Sequence, residues 1–246
     1  MKSFVDLNCD MGEGMPHEET IMPLISSANI ACGEHAGDES TMSKTIALAR
    51  KYNVAVGAHP SYPDRIHFGR VSIPMSEEEI YACVYKQISK INEIASDMGV
   101  KLHHVKPHGA LYNDAAINPV IAAAIARAIE DFDSSLIIYG LANSISKQEA
   151  EKRGMPFYNE VFADRTYTEK GLLTPRSSPN ALIEKEEEAV NQVLHMLQYQ
   201  SVISNSGNSI PIVADTICLH GDGPHAVQFA KALRNAIESI PFQIKS

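Results

Sequence analysis

Four histidines stand at the ends of apolar runs, each near other groups able to take part in chemistry. His35 lies in ACGEHAGD (31–38), His59 in VGAHPSYPD (56–64), His108 in HVKPHGALYN (104–113) and His220 in CLHGDGPHA (218–226). Asn8, Asp10 and Glu13 come from DLNCDMGE (6–13), and Lys106 shares a segment with His108. Asp164 and Arg165 come from FADRTY (162–167), and Asp222 follows His220. Two or three imidazoles with carboxylates can hold a divalent metal or supply a general base. Lys106 and Arg165 can neutralise a carboxylate, a phosphate or an oxyanion. The histidines come singly from different runs, so their spacing carries no metal signature, and HExxH is absent. No GxSxG elbow and no GxxxxGK[ST] loop occurs. The inventory points to hydrolysis or group transfer on a small polar substrate.

Such scattered residues meet only if a fold brings the ends of the runs together. Seven apolar, β-branched-rich runs recur: FVDL (4–7), SSANIA (26–31), VAVGA (54–58), LHHVK (102–106), LIIY (136–139), FYNEVF (157–162) and IPIVADTICL (210–219). Helical periodicity fills most of the gaps, at 40–52, 77–98, from Asn118-Pro119 onward, 142–153, 179–200 and 225–239. Ser76 and Glu79 match a capping box, and Asp38 reads as the N-cap of the 40–52 helix. Ser178-Pro179 and Gly223-Pro224 read as helix openings. Residues 10–25 read as a loop with one helical piece. Alternating strands and helices predict an α/β chain with a mainly parallel sheet. Seven such units favour an incomplete or distorted (β/α)7 barrel, in one domain over 1–246. In parallel α/β folds the carboxyl ends of the strands share one face, so the candidate residues converge on one cup.

Some polar residues have simpler roles. His67, His103 and His195 read as surface or core histidines, and His17 and His225 as weak site candidates. Asp222 is open between capping the last helix and serving the site, and Asp6 between the site and loop backbone. Cys9, Cys32, Cys83 and Cys218 show no metal-ribbon spacing and read as packing thiols.

The chain has 246 residues, 44% hydrophobic and 21% charged, which is an ordinary globular balance. A net charge of -9 argues against non-specific nucleic-acid binding. No apolar stretch is long enough to span a membrane, and MKSFVDLNCDMGEG lacks a signal-peptide core. A cytoplasmic location is the expectation.

With these segments laid out, the chain resembles the LamB/YcsF family. The resemblance runs nearly end to end, through DLNCDMGE (6–13), SANIACGEHAGD (27–38), VGAHPSYPD (56–64), FGR (68–70), VKPHGALYN (105–113), EVFADRTYTEKGLLTPRS (160–177) and CLHGDGPHAV (218–227). It implies a polysaccharide-deacetylase-like barrel and the role of the A subunit in an ATP-dependent 5-oxoprolinase, working with subunits B and C. The implied reaction cleaves the lactam of 5-oxo-L-proline to L-glutamate as ATP is hydrolysed. Asp10, His35 and His108 then become candidate bases for water, and His220 the candidate acid for the departing nitrogen. Asn8, Glu13, His59, Lys106, Asp164, Arg165 and Asp222 become candidates for binding substrate or phosphate. A divalent metal on Asp10, His35 and His59 is a further implication of the wider fold. The competing functions are a stand-alone metal-dependent deacetylase or amidohydrolase and a non-catalytic ligand-binding subunit. Glu34, His67 and Val71 depart from what the resemblance predicts at their positions.

Overall fold

Strand β1 (Ser3–Met11) reads SFVDLNCDM, and strand geometry sends alternate side chains to opposite faces. Val5, Leu7, Cys9 and Met11 share one face, and Asp6, Asn8 and Asp10 share the other. This alternation sets the architecture, because the apolar face meets a ring of helices and the polar face lines the inside of a barrel. The computed structural model describes residues 3–176, 178–219 and 226–246.

After β1 come a short helix α1 (Glu18–Ile21), a 3-10 turn (Met22–Leu24), β2 (Ser27–Ala31), α2 (Glu39–Tyr52) and β3 (Ala55–His59). Then follow α3 (Glu77–Asp97), β4 (Leu102–Val105), α4 (Gly109–Ile117), α5 (Pro119–Asp133), β5 (Ile137–Leu141), α6 (Ile145–Lys152) and β6 (Phe157–Phe162). The chain ends with α7 (Glu186–Tyr199), β7 (Ser201–Ile203), β8 (Ser209–Pro211), β9 (Thr216–Leu219), α8 (Ala226–Glu238) and β10 (Phe242–Ile244).

Seven strands, β1-β2-β3-β4-β5-β6-β9, pair in parallel, and β9 returns to β1 through Asp6↔Thr216 to Cys9↔Leu219. The barrel is therefore closed and seven-stranded. It is distorted between β3 and β4, where the register shifts at Val56/Gly57. Outside the ring, β10 lies parallel to the start of β1, and β7 and β8 form an antiparallel hairpin. The outward faces of the strands and the inward faces of the helices merge into one apolar cluster, which includes Leu7, Ile30, Ile46, Ile88, Ile129 and Leu233.

The seven expected strands are the seven of the barrel, and several helix signals hold at the level of single hydrogen bonds. Asp38 accepts the Thr41 amide at 2.8 Å. Ser76 and Glu79 form the reciprocal capping box, and the Asn118 side chain caps α5 ahead of Pro119. Two expectations need correction, and one element is added. The 210–219 run is split, because Ser209–Pro211 pairs with β7 and only Thr216–Leu219 enters the barrel. The 179–200 helix starts at Glu186, because the preceding segment folds back on itself through Thr166 N–H to Ala181 O and Ile183 N–H to Asp164 O. Asn180, at φ 57, also leaves the helical region there. Helix α4, directly after His108, is an addition to the expected elements, because its sequence carries no clear amphipathic period.

Candidate functional site

The barrel interior departs from the usual layers of branched apolar side chains. Asp6 accepts hydrogen bonds from Ser26, Ser27 and Thr216 at 2.5, 2.7 and 2.5 Å, so its partners are side chains of neighbouring strands and not loop backbone. Burial raises its pKa despite those donors. Above it, Asn8 donates to Thr216 Oγ1 (2.7 Å) and Glu160 Oε1 (2.9 Å) and accepts from Asn29 and Lys106. Asn8 is fully buried and so organises the site from beneath; it does not line the cavity. Asn29 then donates to both Asn8 Oδ1 and Asp10 Oδ1 at 2.8 Å. Its own oxygen accepts from His104 Nε2 at 2.7 Å. A Cβ at Gly57 would collide with the His104 ring, so only glycine leaves room for it. Asp6, Asn8, Asn29 and His104 are each matched to another buried polar group, which is what makes a polar interior stable.

At the open end of this column the strand termini deliver the candidate residues. Lys106, just past β4, places its ammonium 2.9 Å from Asp10 Oδ1 and 2.8 Å from Glu160 Oε1. Burial alone would pull the Lys106 pKa down, but Asp10, Cys218 and Glu160 outweigh it and hold it well above the usual lysine value. Burial would likewise raise Asp10, but His59 and Lys106 hold it well below the usual carboxylate range. Both groups are charged at neutral pH.

Glu13 is placed by its own loop. The Glu18 carboxylate accepts four successive amides, from Gly12 (3.0 Å), Glu13 (3.0 Å), Gly14 (3.1 Å) and Met15 (3.2 Å), and so ties the turn after β1 into shape. That turn holds Glu13 Oε1 3.1 Å from His35 Nε2 and 3.4 Å from His108 Nδ1. His59 Nε2 lies 2.9 Å from His108 Nδ1 and 3.4 Å from Asp10 Oδ2. The rings of His35 and His108 stack at 3.8 Å, and Phe68 meets both edge-on. Gly69, in the left-handed region at φ 64, lets the FGR loop close over them; a Cβ there would sit 3.0 Å from His108 and 3.1 Å from His35. Burial, and then neighbouring imidazoles, depress His35 and His108 to about 3, so both are neutral at physiological pH. Burial and the nearby Asp10 charge raise Glu13. Glu13, His35, His59 and His108 each offer one donor atom, all within 4.8 Å of one another. That spacing and donor set fit a divalent metal.

Asp10, Glu13, His59, Lys106 and His108 form the floor of a cavity of about 850 Å3. Its walls are largely apolar, with Tyr112, Leu141, Phe162 and Leu172, and its mouth carries Arg70, Lys170 and Arg176. A cavity of this size with a few convergent polar groups is the usual form of a small-molecule site.

The structure thus brings together Asp10, Glu13, His35, His59, Lys106 and His108. Arg165 lines the cavity, but its guanidinium also donates to Thr174 O (2.7 Å) and Ala181 O (3.3 Å), bracing the loop between β6 and α7. Asp164 is not among the cavity-lining residues. His220 and Asp222, with the weaker candidate His225, lie outside the described residues. His67 pairs with Asp64 at 3.0 Å with its side chain 60% exposed, and His195 bonds Ser201, both away from the cavity. Asn29, His104 and Glu18 join the site from structure and not from sequence pattern, whereas Glu160 falls, like the other candidates, toward the end of its apolar run (157–162). A usable signal existed for two of them: His104 precedes Lys106 by two residues, and Asn29 breaks an apolar run, so each falls on the inward face of its strand.

No helix among the described residues is long and apolar enough to cross a membrane. The sequence matches the LamB/YcsF family profile over residues 5–246. It is 51% identical to a protein of Tolumonas auensis named as the A subunit of 5-oxoprolinase, over 98% of each chain. The crystal structure of a lactam utilization protein from Thermus thermophilus superposes with a TM-score of 0.93 at 40% identity, covering 98% of this chain and 99% of that one. A family 4 carbohydrate esterase from Streptomyces lividans shares the barrel alone, with a TM-score of 0.50 at 11% identity over 98% of this chain and 91% of that one. The chain belongs to the LamB/YcsF family.

Proposed function

We propose that this chain is the A subunit of an ATP-dependent 5-oxoprolinase, a single barrel domain whose cavity opens the lactam ring of 5-oxo-L-proline to give L-glutamate. The observation that carries this reading is the cavity floor, where Asp10, Lys106 and the imidazole cluster converge beneath a pocket open to a small polar ligand. Near-full-length likeness to proteins named as 5-oxoprolinase A subunits supplies the substrate.

A lactam is a stable amide, and its nitrogen leaves poorly. Transfer of the terminal phosphoryl group of ATP to the amide oxygen, with ADP leaving, makes the ring carbon electrophilic enough for water to add. Loss of the protonated ring nitrogen then leaves an acyl phosphate, which a second water cleaves to glutamate and inorganic phosphate. The sequence holds no phosphate-binding loop, so we place ATP handling in the assembled complex with subunits B and C. Asp10 Oδ2 is the carboxylate oxygen left to accept the proton of an incoming water, because Oδ1 is held by Asn29 and Lys106. The Lys106 ammonium stabilises negative charge that develops on the ring oxygen or its phosphate. A divalent metal held by Glu13, His35, His59 and His108 would add Lewis-acid polarisation at the same place. His220, two residues past Cys218, remains our candidate for protonating the departing nitrogen.

The test is a 5-oxoproline assay on the purified chain alone, then with subunits B and C, with and without ATP. Glutamate formation only in the ATP-supplied complex, abolished by Asp10→Asn, is the expected result. Absence of glutamate from a complex that has demonstrably assembled would overturn the assignment. ATP-independent turnover by the chain alone, with stoichiometric zinc, would instead favour a stand-alone amidohydrolase, the reading to which the His/Glu cluster also lends itself.

A further inference from the structure

Five cations line the cavity among the described residues: Arg70, Lys106, Arg165, Lys170 and Arg176. Lys106 has no hydrogen to spare for a ligand. Its ammonium carries three, and four acceptors already surround it: Glu160 Oε1 at 2.8 Å, Asp10 Oδ1 at 2.9 Å, and Asn8 Oδ1 and Cys218 Sγ at 3.2 Å. Lys106 therefore acts on the cavity through its field. Arg70 lies over the Phe68 ring at 5.2 Å, and its charge acts on Glu13. Arg165 differs from both. It is only 5% exposed, yet no carboxylate among the described residues stands within ion-pair distance of it. A buried arginine is normally paired, because an uncompensated charge is costly to bury.

The loop between β6 and α7 holds this cation by main chain instead of by charge. Nε donates to Ala181 O at 3.3 Å and Nη2 to Thr174 O at 2.7 Å, which leaves Nη1 without a hydrogen-bond partner among the described residues. The Thr174 amide donates to Thr166 O at 2.9 Å, so residues 174–176 lie alongside 165–166. A second guanidinium, Arg176, is thereby brought to the same wall. Burial, and then the Arg176 charge, lower the Arg165 pKa. Two like charges on one wall repel, and an anion seated between them offsets that repulsion. The planar fork of a guanidinium matches a carboxylate through two parallel hydrogen bonds. Cys218, 3.2 Å from the Lys106 ammonium, also acts on Arg165, so this wall borders the floor.

We infer that Arg165 and Arg176 form the pocket for a carboxylate carried on the lactam ring, so that the substrate class is a lactam with a free carboxylate and neutral lactams are rejected. This rests on the ring-opening reading above. There the phosphorylated oxygen lies over Asp10 and Lys106, and the ring carboxylate is the anion left for the arginine wall. In 5-oxo-L-proline that carboxylate sits on the carbon beside the ring nitrogen, across the nitrogen from the reacting carbonyl. Lys170, exposed at the mouth, adds to a local positive field that draws an anion toward a chain of net charge -9.

Calorimetry without ATP, on the full chain alone and assembled with subunits B and C, compares 5-oxo-L-proline with its neutral carboxamide. Expected is a ~10–100-fold preference for the carboxylate, the size of a hydrogen-bonded contact to a charged group. Arg165→Met and Arg176→Ala should each lose most of that preference. Arg165 also braces its loop, so circular dichroism checks the fold of each variant, and Arg176→Ala carries the test if Arg165→Met does not fold. Equal affinity for the two ligands, no binding of either, or a preference kept in the folded variants overturns the inference. Inorganic phosphate binding that is lost in the variants, yet does not displace 5-oxo-L-proline, assigns the wall to a phosphoryl group and overturns it as well. Ring opening by the ATP-supplied complex is read separately. Its absence with the preference intact strikes only the proposed reaction, and its presence without the preference strikes only the pocket.

Discussion

Asn29 donates to Asp10 Oδ1 over 2.8 Å, and this bond decides which oxygen of the acid faces the cavity. With Lys106 on the same oxygen, Oδ2 is left toward His59 and the solvent side. His104 holds Asn29 in register from behind. The chain of contacts from His104 to Asp10 runs across three strands, so it is a property of the closed barrel.

Asn29→Ala should therefore lower kcat by about 10–100-fold with a smaller change in KM, because displacing a catalytic group by even 1 Å is that costly. His104→Ala should act in the same direction, and His104→Gln, which keeps an N–H for the Asn29 oxygen, should recover much of the loss. Steady-state kinetics on the reconstituted complex read this directly. Equal kcat in all three variants would remove the brace from the account.

Lys106 compensates two carboxylates at once, and its replacement leaves both buried without a counter-charge. Breaking a buried pair from one side costs about 3–5 kcal/mol. Urea unfolding of Lys106→Met should show a loss of that order, partly restored in Lys106→Met with Glu160→Gln. A loss below about 1 kcal/mol would mean that water reaches the pair.

Asp6 offers a pH test that lies away from the imidazole cluster. Its pKa is raised above 3.8 by burial, so the fold favours the neutral acid. The stability this contributes is complete below pH 3.8 and is lost as pH rises through the higher folded pKa. Asp6→Asn has no such loss, so its melting temperature should gain on wild type as pH rises from the acid range, then run parallel. A difference independent of pH would refute the shift.

Glu34 departs from the apolar residue that the family resemblance predicts, and its place in the structure is undemanding. Its side chain is 32% exposed, 3.6 Å from the exposed Lys86 ammonium, and does not line the cavity. An exposed pair of this kind contributes little. Glu34→Phe should leave kcat/KM unchanged and unfolding free energy within about 0.5 kcal/mol. A changed substrate preference would show that Glu34 reaches the cavity.

The strands were legible because each is an apolar run a few residues long, bounded by glycine, proline or polar turns, and because helical periodicity separates them. Asp38, Ser76 with Glu79, and Asn118 with Pro119 were legible for a local reason: a cap is made within three residues. The hairpin that breaks up 210–219 was not, since only pairing with Ser201–Ile203 distinguishes it from a continuous strand. The delayed start of α7 was hidden likewise, in the bridges between Arg165 and Leu182 and between Tyr167 and Leu173.

By itself, the sequence determined the (β/α)7 order, the family, and the strand-end positions of Asp10, His35, His59, Lys106 and His108. All of these follow from short-range pattern and from the rule that parallel strands end on one face. Only the tertiary structure decided which of those residues touch. It placed Glu13 among the imidazoles through the Glu18 carboxylate, turned Asn8 into a buried support, and set Asn29 and His104 behind Asp10. Those roles depend on hydrogen bonds between residues from different strands, and such bonds exist only once barrel closure fixes the register of each strand against the next.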